Sequence, residues 1–333
     1  MKKVIVLLGP TAVGKTAASL LLAKALKTEI ISADSMQIYR RMNIGTAKPT
    51  AEERRQVPHH LIDVVEPWEA YSTGEYIKQV VPIMERLFSS GRPPLVVGGT
   101  GLYIKAMTRG IFTGPSADWE LRDDLLRKES EEPGSLYAYL NEIDPGTAER
   151  IEPADTRRVI RALEVCLKSS RKMSELHQEL TRPLPYDFLK MGLTRDRKEL
   201  YGMIDKRVDA MMAQGLLDEV RRVARAIDAA ETRRCGGAGK GTVSPCHRIA
   251  TSSFTSMQAI GYKELITHLS GEISLDEAAA LIKKRSRNYA KRQFTWFRKE
   301  EGITWIDITG IHDAHEIFRK IKEIIQRAGQ ENS

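Results

Sequence analysis

Cysteine is scarce in this chain: Cys166, Cys235 and Cys246 are the only ones in 333 residues, an odd number without CxxC spacing. A disulfide framework is excluded on that count. Long apolar runs are also missing. No stretch approaches the roughly eighteen residues of a membrane span, and MKKVIVLLGP runs into a glycine-rich loop where a signal peptide would carry its cleavage site. No membrane partner and a cytoplasmic location are expected. Acidic residues are absent from one place in particular. Residues 283–299, KKRSRNYAKRQFTWFRK, hold eight basic residues and no acidic one, and they account for the whole formal charge of +8, because the rest of the chain balances at 44 against 44.

What is present begins at residue 3. KVIVLL (3–8) reads as a short buried strand, GPTAVGKT (9–16) fits G-x-x-x-x-G-K-[ST], and AASLLLAKAL continues as a helix. Strand, loop and helix in that order make a phosphate cradle, in which backbone N–H groups converge at a helix N-terminus, Lys15 adds a point charge and the Thr16 hydroxyl is a magnesium ligand. Further strands are expected at 29–32, 61–65, 94–97, 188–194 and 303–309, alternating with helices at 15–27 and 72–90. That rhythm is α/β: a P-loop NTPase-like parallel sheet core. Residues from about 113 to 185 read as a mostly helical insertion domain. The core then comprises 1–112 and about 186–333, with a second helical set from Asp196 to Arg298. CGGAGKGTVSPCHRIATSS (235–253) reads as a mobile loop. Its Cys235, Cys246 and His247 lack a fourth metal ligand at suitable spacing.

The question is which phosphate the cradle holds. An ATPase or GTPase pairs its P-loop with an apolar strand ending in a magnesium-binding Asp. Here the likeliest strand, PLVV, ends instead in Gly98, Gly99, Thr100 and Gly101; Asp63 is a weaker candidate, and no NKxD occurs. Small-molecule P-loop enzymes place a working residue just after the second strand, which here is Asp34. Asp34 could equally cap a short helix starting at Ser35. The basic stretch has two readings as well. Tyr289, Phe294, Trp296 and Phe297 interleave with its charges, which suits backbone neutralisation plus base stacking, or it is a solvated helix whose aromatics are core. On a helix, Arg285, Tyr289, Arg292 and Trp296 share one face and Ala290, Phe294 and Phe297 another.

GPTAVGKT, DSMQIYR, GTAKP, HHLID, VGGTGLY, RRVIRALEV, MQAIGYKE and KRQFTWFR, in that order over nearly the whole chain, resemble the bacterial tRNA dimethylallyltransferases, the IPP transferase family. The resemblance implies transfer of a dimethylallyl group from dimethylallyl diphosphate to the exocyclic amine of the adenine 3′-adjacent to the anticodon, in tRNAs reading U-initial codons, with release of pyrophosphate. Gly9, Pro10, Thr11, Ala12, Val13, Gly14, Lys15 and Thr16 would then cradle the diphosphate, with Mg2+ on Thr16, and Arg207 would face it as well. Read from position alone, Arg207 is instead a helix-surface salt bridge to Asp205 or Asp209. Asp34 matches the family's proposed base. Ser35, Met36 and Gln37, then Thr100 and Arg122, then Arg157, Arg158, Val159, Ile160 and Arg161, match its tRNA contacts. Gln258, Ala259, Ile260, Gly261, Tyr262 and Lys263, with Lys291, Arg292, Gln293, Phe294, Thr295, Trp296, Phe297 and Arg298, complete the RNA surface. The glycine-rich segment departs from the family by lengthening the link before MQAIGYKE. A monomer meeting the anticodon stem-loop is expected. A P-loop small-molecule kinase, a prenyltransferase of free adenine nucleotide and an RNA-binding nucleotide sensor are the rival readings.

Overall fold

The computed structural model describes residues 2–112, 114–234 and 254–330. Segment 235–253, expected as a loop, lies outside the described residues. The chain divides into two compact units, one of Met1–Ile104 with Tyr186–Ser333 and one of Lys105–Pro185.

The first unit opens with β1 (Lys3–Leu8), α1 (Lys15–Ala25), β2 (Ile30–Ala33), α2 (Ala51–Gln56), β3 (His59–His60), α3 (Thr73–Ser89) and β4 (Leu95–Gly98), and α4 (Gly101–Thr108) leads out of it. In the second unit α5 (Trp119–Glu131), α6 (Ser135–Ile143), α7 (Pro145–Ala148), α8 (Thr156–Ser169) and α9 (Met173–Leu180) gather around Leu125, Leu140, Val159, Ile160 and Leu163. The chain then returns with β5 (Asp187–Thr194), α10 (Arg197–Ala213), α11 (Leu216–Arg234), α12 (Tyr262–Leu269), α13 (Leu275–Phe297), β6 (Ile303–Asp307) and α14 (Ala314–Gln330).

All neighbours in the six-stranded sheet are parallel, in the order β3-β2-β4-β1-β5-β6. β1 lies inside it, paired with β4 (Ile5 opposite Leu95) and β5 (Lys3 opposite Asp187). A parallel strand covered on both faces needs a continuous apolar run rather than alternation, and Val4 to Leu8 are all buried. One apolar cluster joins the sheet to α1, α10 and α14 through Leu22, Ile204, Ile317 and Ile321. A second joins α10 to α13 through Val208, Val220, Tyr262 and Ile282.

The strand expected at 61–65 does not form; β3 ends at His60. Leu61 and Asp63 have positive φ, 59° and 56°, which an extended strand cannot accommodate. Asp63 instead takes Lys48 Nζ and Arg54 Nη1, each at 2.7 Å. It is therefore unavailable as a strand-end magnesium ligand. No described helix is long and apolar enough to cross a membrane.

Candidate active site

The loop after β1 turns with Gly9 at φ 151°, Ala12 at 64° and Gly14 at 110°. A side chain on Gly9 would press on the Leu193 carbonyl at 2.8 Å. Gly14 opens α1 without a side-chain cap, and the first turn of α1 has no acidic residue. The orphan N–H groups and the positive end of the helix dipole are thus left for an anion. Lys15 Nζ donates to the carbonyls of Gly9 (2.9 Å) and Pro10 (2.7 Å). Arg195, which the sequence did not single out, props the loop from below: its Nε donates to Val13 O at 3.1 Å, and its other nitrogens reach Ile308 O, Ile311 O and Glu199.

The cradle forms one wall of a cavity of about 680 Å³. Asp34 stands beside it at the end of β2. Its Oδ1 accepts from the N–H groups of Met36 (2.9 Å) and Gln37 (3.3 Å), which cap a turn rather than the expected helix. Its Oδ2 has no partner among the described residues. The capping role is thus filled by one oxygen, and the other faces no donor among the described residues. Ser35 N–H donates to Thr100 Oγ1 at 2.9 Å, and Gln37 Nε2 holds the carbonyls of Thr46 and Ala47.

Arg207 also lines the cavity. The surface salt bridge expected from its position is not formed, because Asp205 pairs with Arg287 and Asp209 with Lys283. Burial, then the nearby Arg207 charge, lowers Lys15 to a pKa of about 7 against the opposing pull of Asp34. Burial likewise lowers Arg207, again against Asp34. Two cations and one carboxylate thus share a cavity without closing an ion pair among themselves. Such perturbed groups in a cleft mark a functional site.

The glycines after β4 are explained by what sits on them. A Cβ on Gly98 would meet the Ala33 backbone, one on Gly99 the carboxamide of Gln293, and one on Gly101 the ring of Trp296. Helix α13 is seated on this segment. From it Ser286, Tyr289, Arg292 and Gln293 line the cavity, with the Arg292 guanidinium 5.7 Å from the Tyr289 ring centre. Burial, together with Asp34, pushes the Tyr289 phenol up, so it stays protonated as a donor. Tyr289, read in the sequence as a stacking or core aromatic on a basic helix, is a cavity residue.

The segments expected to meet RNA divide in two. Gln258, Lys263, Lys291, Arg292, Thr295, Trp296 and Arg298 are exposed, and Ile260 is half-buried. Ala259, Gly261, Tyr262, Gln293 and Phe297 are buried and Phe294 is half-buried, 6.2 Å from the Trp305 ring. Tyr262 donates to Glu219 Oε1 at 2.6 Å. Glu219, itself buried, also accepts from Asn43, Ile44 and Gly45 N–H. Buried Glu264 accepts from Gly261 N–H and pairs with Arg285. Arg285 is itself exposed, and its guanidinium is engaged by that carboxylate. In the second unit Arg122 and Arg161 both bind the fully buried Glu164. Val159 and Ile160 belong to that unit's core, while Arg157 and Arg158 are exposed, Arg158 near Asp155 at 3.2 Å. At the buried positions the expectation of RNA contact through the side chain is corrected, because these side chains bolt the surface together from beneath.

Comparison with known proteins agrees along the chain. Residues 37–300 match the family model described as IPP transferase, and residues 2–64 one described as isopentenyl transferase. The sequence is 51% identical over 330 residues to the tRNA dimethylallyltransferase of Thermodesulfovibrio yellowstonii, covering 98% of this chain and 99% of that one. It is 44% identical to the Symbiobacterium thermophilum protein of the same name, covering 97% and 94%. The full-length tRNA isopentenylpyrophosphate transferase of Bacillus halodurans superposes with a TM-score of 0.66 at 37% identity, over 100% of both chains. A eukaryotic dimethylallyltransferase acting on tRNA gives 0.74 at 30% identity, over 93% of this chain and 74% of that one.

Proposed function

Because the chain belongs to the IPP transferase family, we propose that it moves a dimethylallyl group from dimethylallyl diphosphate to the exocyclic amine of the adenine 3′-adjacent to the anticodon, releasing pyrophosphate. The observation that carries this reading is the free Oδ2 of Asp34 in the same cavity as the P-loop, Lys15 and Arg207.

An allylic C–O bond breaks when charge on the departing oxygen is stabilised. The loop amides and the two cations are the groups for that, and a low-dielectric cavity makes them count for more than they would in water. The amine is a weak nucleophile, its lone pair being delocalised into the ring. It must lose a proton as the new C–N bond forms, and Asp34 Oδ2 accepts that proton while Oδ1 stays fixed by the turn. The Tyr289 hydroxyl and the Thr100–Ser35 pair border the place where the base would enter. Exposed Lys291, Arg292, Trp296 and Arg298 supply phosphate contacts and a stacking plane for the anticodon loop.

A magnesium ion fits the residues present. Thr16 lines the cavity, its hydroxyl has no hydrogen-bond partner among the described residues, and no group of three metal-binding His, Cys, Asp or Glu occurs among them. Thr16 would therefore hold the ion together with the oxygens of the diphosphate, where the ion would neutralise leaving-group charge. Incubation with labelled dimethylallyl diphosphate and either tRNA or AMP, and separately with labelled ATP, tests the reading. Label in tRNA alone is expected. Label in AMP, or transfer of a phosphoryl group from ATP, would replace it by one of the rivals.

A further inference from the structure

The basic helix α13 also turns a neutral ring to the cavity. Tyr289 lies on it one turn before Gln293, with the Arg292 guanidinium 5.7 Å from its ring centre. Gln293 is 6% exposed and fixed at both ends of its carboxamide: Oε1 accepts from Thr11 N–H and Nε2 donates to Gly99 O, each at 2.8 Å. A Cβ on Gly99 would collide with that carboxamide. The phenol's second polar neighbour, Thr100, accepts the N–H of Ser35 at 2.9 Å, and Ser35 follows Asp34 in the chain. Contacts thus run from the Tyr289 hydroxyl to the backbone beside Asp34, and both side chains line the same cavity.

The hydroxyl has a fixed polarity. Burial, then Asp34, raises the phenol's pKa, and Arg292, Thr100 and Gln293 oppose them. A hydrogen-bonding neighbour that favours the ionised phenol is one that donates to its oxygen. Thr100 and Gln293 therefore occupy the accepting side of that oxygen, while no described residue takes its proton. What remains for a ligand is one donor. Asp34 Oδ2 offers one acceptor nearby.

An acceptor next to a donor matches an amine next to a ring nitrogen that carries no hydrogen. Adenine presents that pair on either flank of its amine, with N1 on one side and N7 on the other. Guanine would set its O6 against Asp34, and the phenol, its oxygen already engaged, could not turn round to accept from guanine N1–H. We propose that Tyr289 is a specificity-determining residue that donates its O–H to a ring nitrogen flanking the reacting amine, so that Tyr289 and Asp34 together read the adenine edge. The inference rests on the prenyl-transfer reading and deepens it.

Single-turnover prenyl transfer by the native chain and by Tyr289→Phe, to synthetic anticodon stem-loops carrying adenosine, 1-deazaadenosine or 7-deazaadenosine at the target position, tests it. On adenosine the variant should be slower by about tenfold or more, the effect of one buried hydrogen bond left unmade. The native chain should lose a similar factor on one of the two deaza analogues, and on that analogue Tyr289→Phe should be no slower than the native chain. Changes in the intrinsic reactivity of the amine act on both proteins alike and cancel in this cycle. A purely structural role would slow Tyr289→Phe equally on all three substrates, which overturns the assignment, as does a native chain indifferent to both analogues. Should Tyr289→Phe fail to fold, 3-fluorotyrosine at position 289 keeps the ring and the hydroxyl while strengthening the donor. Its effect should be present with adenosine and absent with the sensitive analogue, and an equal effect on both overturns the assignment. A native chain that modifies no stem-loop sinks the prenyl-transfer reading itself, whereas one that modifies adenosine without this deaza signature sinks the present inference alone.

Discussion

Charged side chains in the first unit fall into two populations. Around the cavity, Lys15, Arg207 and Asp34 Oδ2 have no opposite charge within ion-pair distance among the described residues. Away from it, carboxylates are saturated: Glu219 takes three consecutive N–H groups and a phenol, Glu264 an N–H and Arg285, and Glu29 takes Arg86, Arg92 and His60 together. Buried charge is costly unless its partners are all in place. The fold therefore satisfies the charges that hold it together and leaves those around the cavity without an ion pair among the described residues.

The largest effect should come from breaking a saturated site. Glu219→Gln turns an amide NH2 toward N–H donors and should cost about 3–4 kcal/mol of stability, read by denaturant unfolding. A loss below about 1 kcal/mol would mean the 43–45 loop is held by something else. The open site should behave in the opposite way. Asp34→Asn preserves the oxygen that caps the turn, so unfolding should barely change. Single-turnover prenyl transfer should fall on the order of a hundredfold, and a rate within threefold of the parent would return Asp34 to a capping role.

Protonation sharpens the contrast. The Arg86 hydrogen bond, opposed by burial and helped by His60, lowers Glu29 from 4.5 to about 2. A depressed carboxylate contributes stability above its ordinary value, and that stability is lost as pH falls from 4.5 toward 2. Glu29→Gln should remove about 2 kcal/mol at neutral pH and flatten the acid limb of the unfolding curve; an unchanged limb would show the cluster to be idle. Lys15 works on binding instead. With its free-state value near 7, it must regain a proton to meet a diphosphate at higher pH. Pyrophosphate affinity should then drop by about tenfold per unit as pH rises above 7, with net proton uptake visible in buffers of different ionisation heat. Absence of uptake at pH 8 would contradict the depressed value. The smallest effect belongs to exposed Arg292. Its replacement by Ala should lower the slope of log tRNA affinity against log salt by about one, and an unchanged slope would remove it from the RNA contact.

Much of this was legible in the sequence because the signals are local. β1 occupies the expected residues 3–8, since an apolar run followed by glycine admits little else, and the cradle follows from spacing alone. The strand expected at 61–65 failed because alternation of apolar residues says nothing of the left-handed turns at Leu61 and Asp63, which exist to deliver Asp63 to Lys48 and Arg54. Asp34 is ambiguous in the sequence because capping and proton transfer ask for the same residue type; the structure shows that Oδ1 caps the turn. Arg195, Glu219 and Gln293 were misjudged or missed for one reason. Each works through a partner a hundred or more residues away, from Val13 to Asn43 to Thr11, and no spacing within a motif encodes such a partner.

The placement of β1 between β4 and β5 also has a consequence in time. On the ribosome β1 and β4 can pair once Gly98 has emerged, but the other edge of β1 stays open until the chain reaches Asp187. At about 5–20 residues per second that is roughly 5–20 s during which a strand that is apolar from Val4 to Leu8 has an unpaired edge. The residues made in that interval are those of the second unit, Lys105–Pro185, a contiguous helical body with its own core. It can fold while the first unit waits, so a pause in translation inside 105–185 should raise aggregation more than the same pause after residue 194.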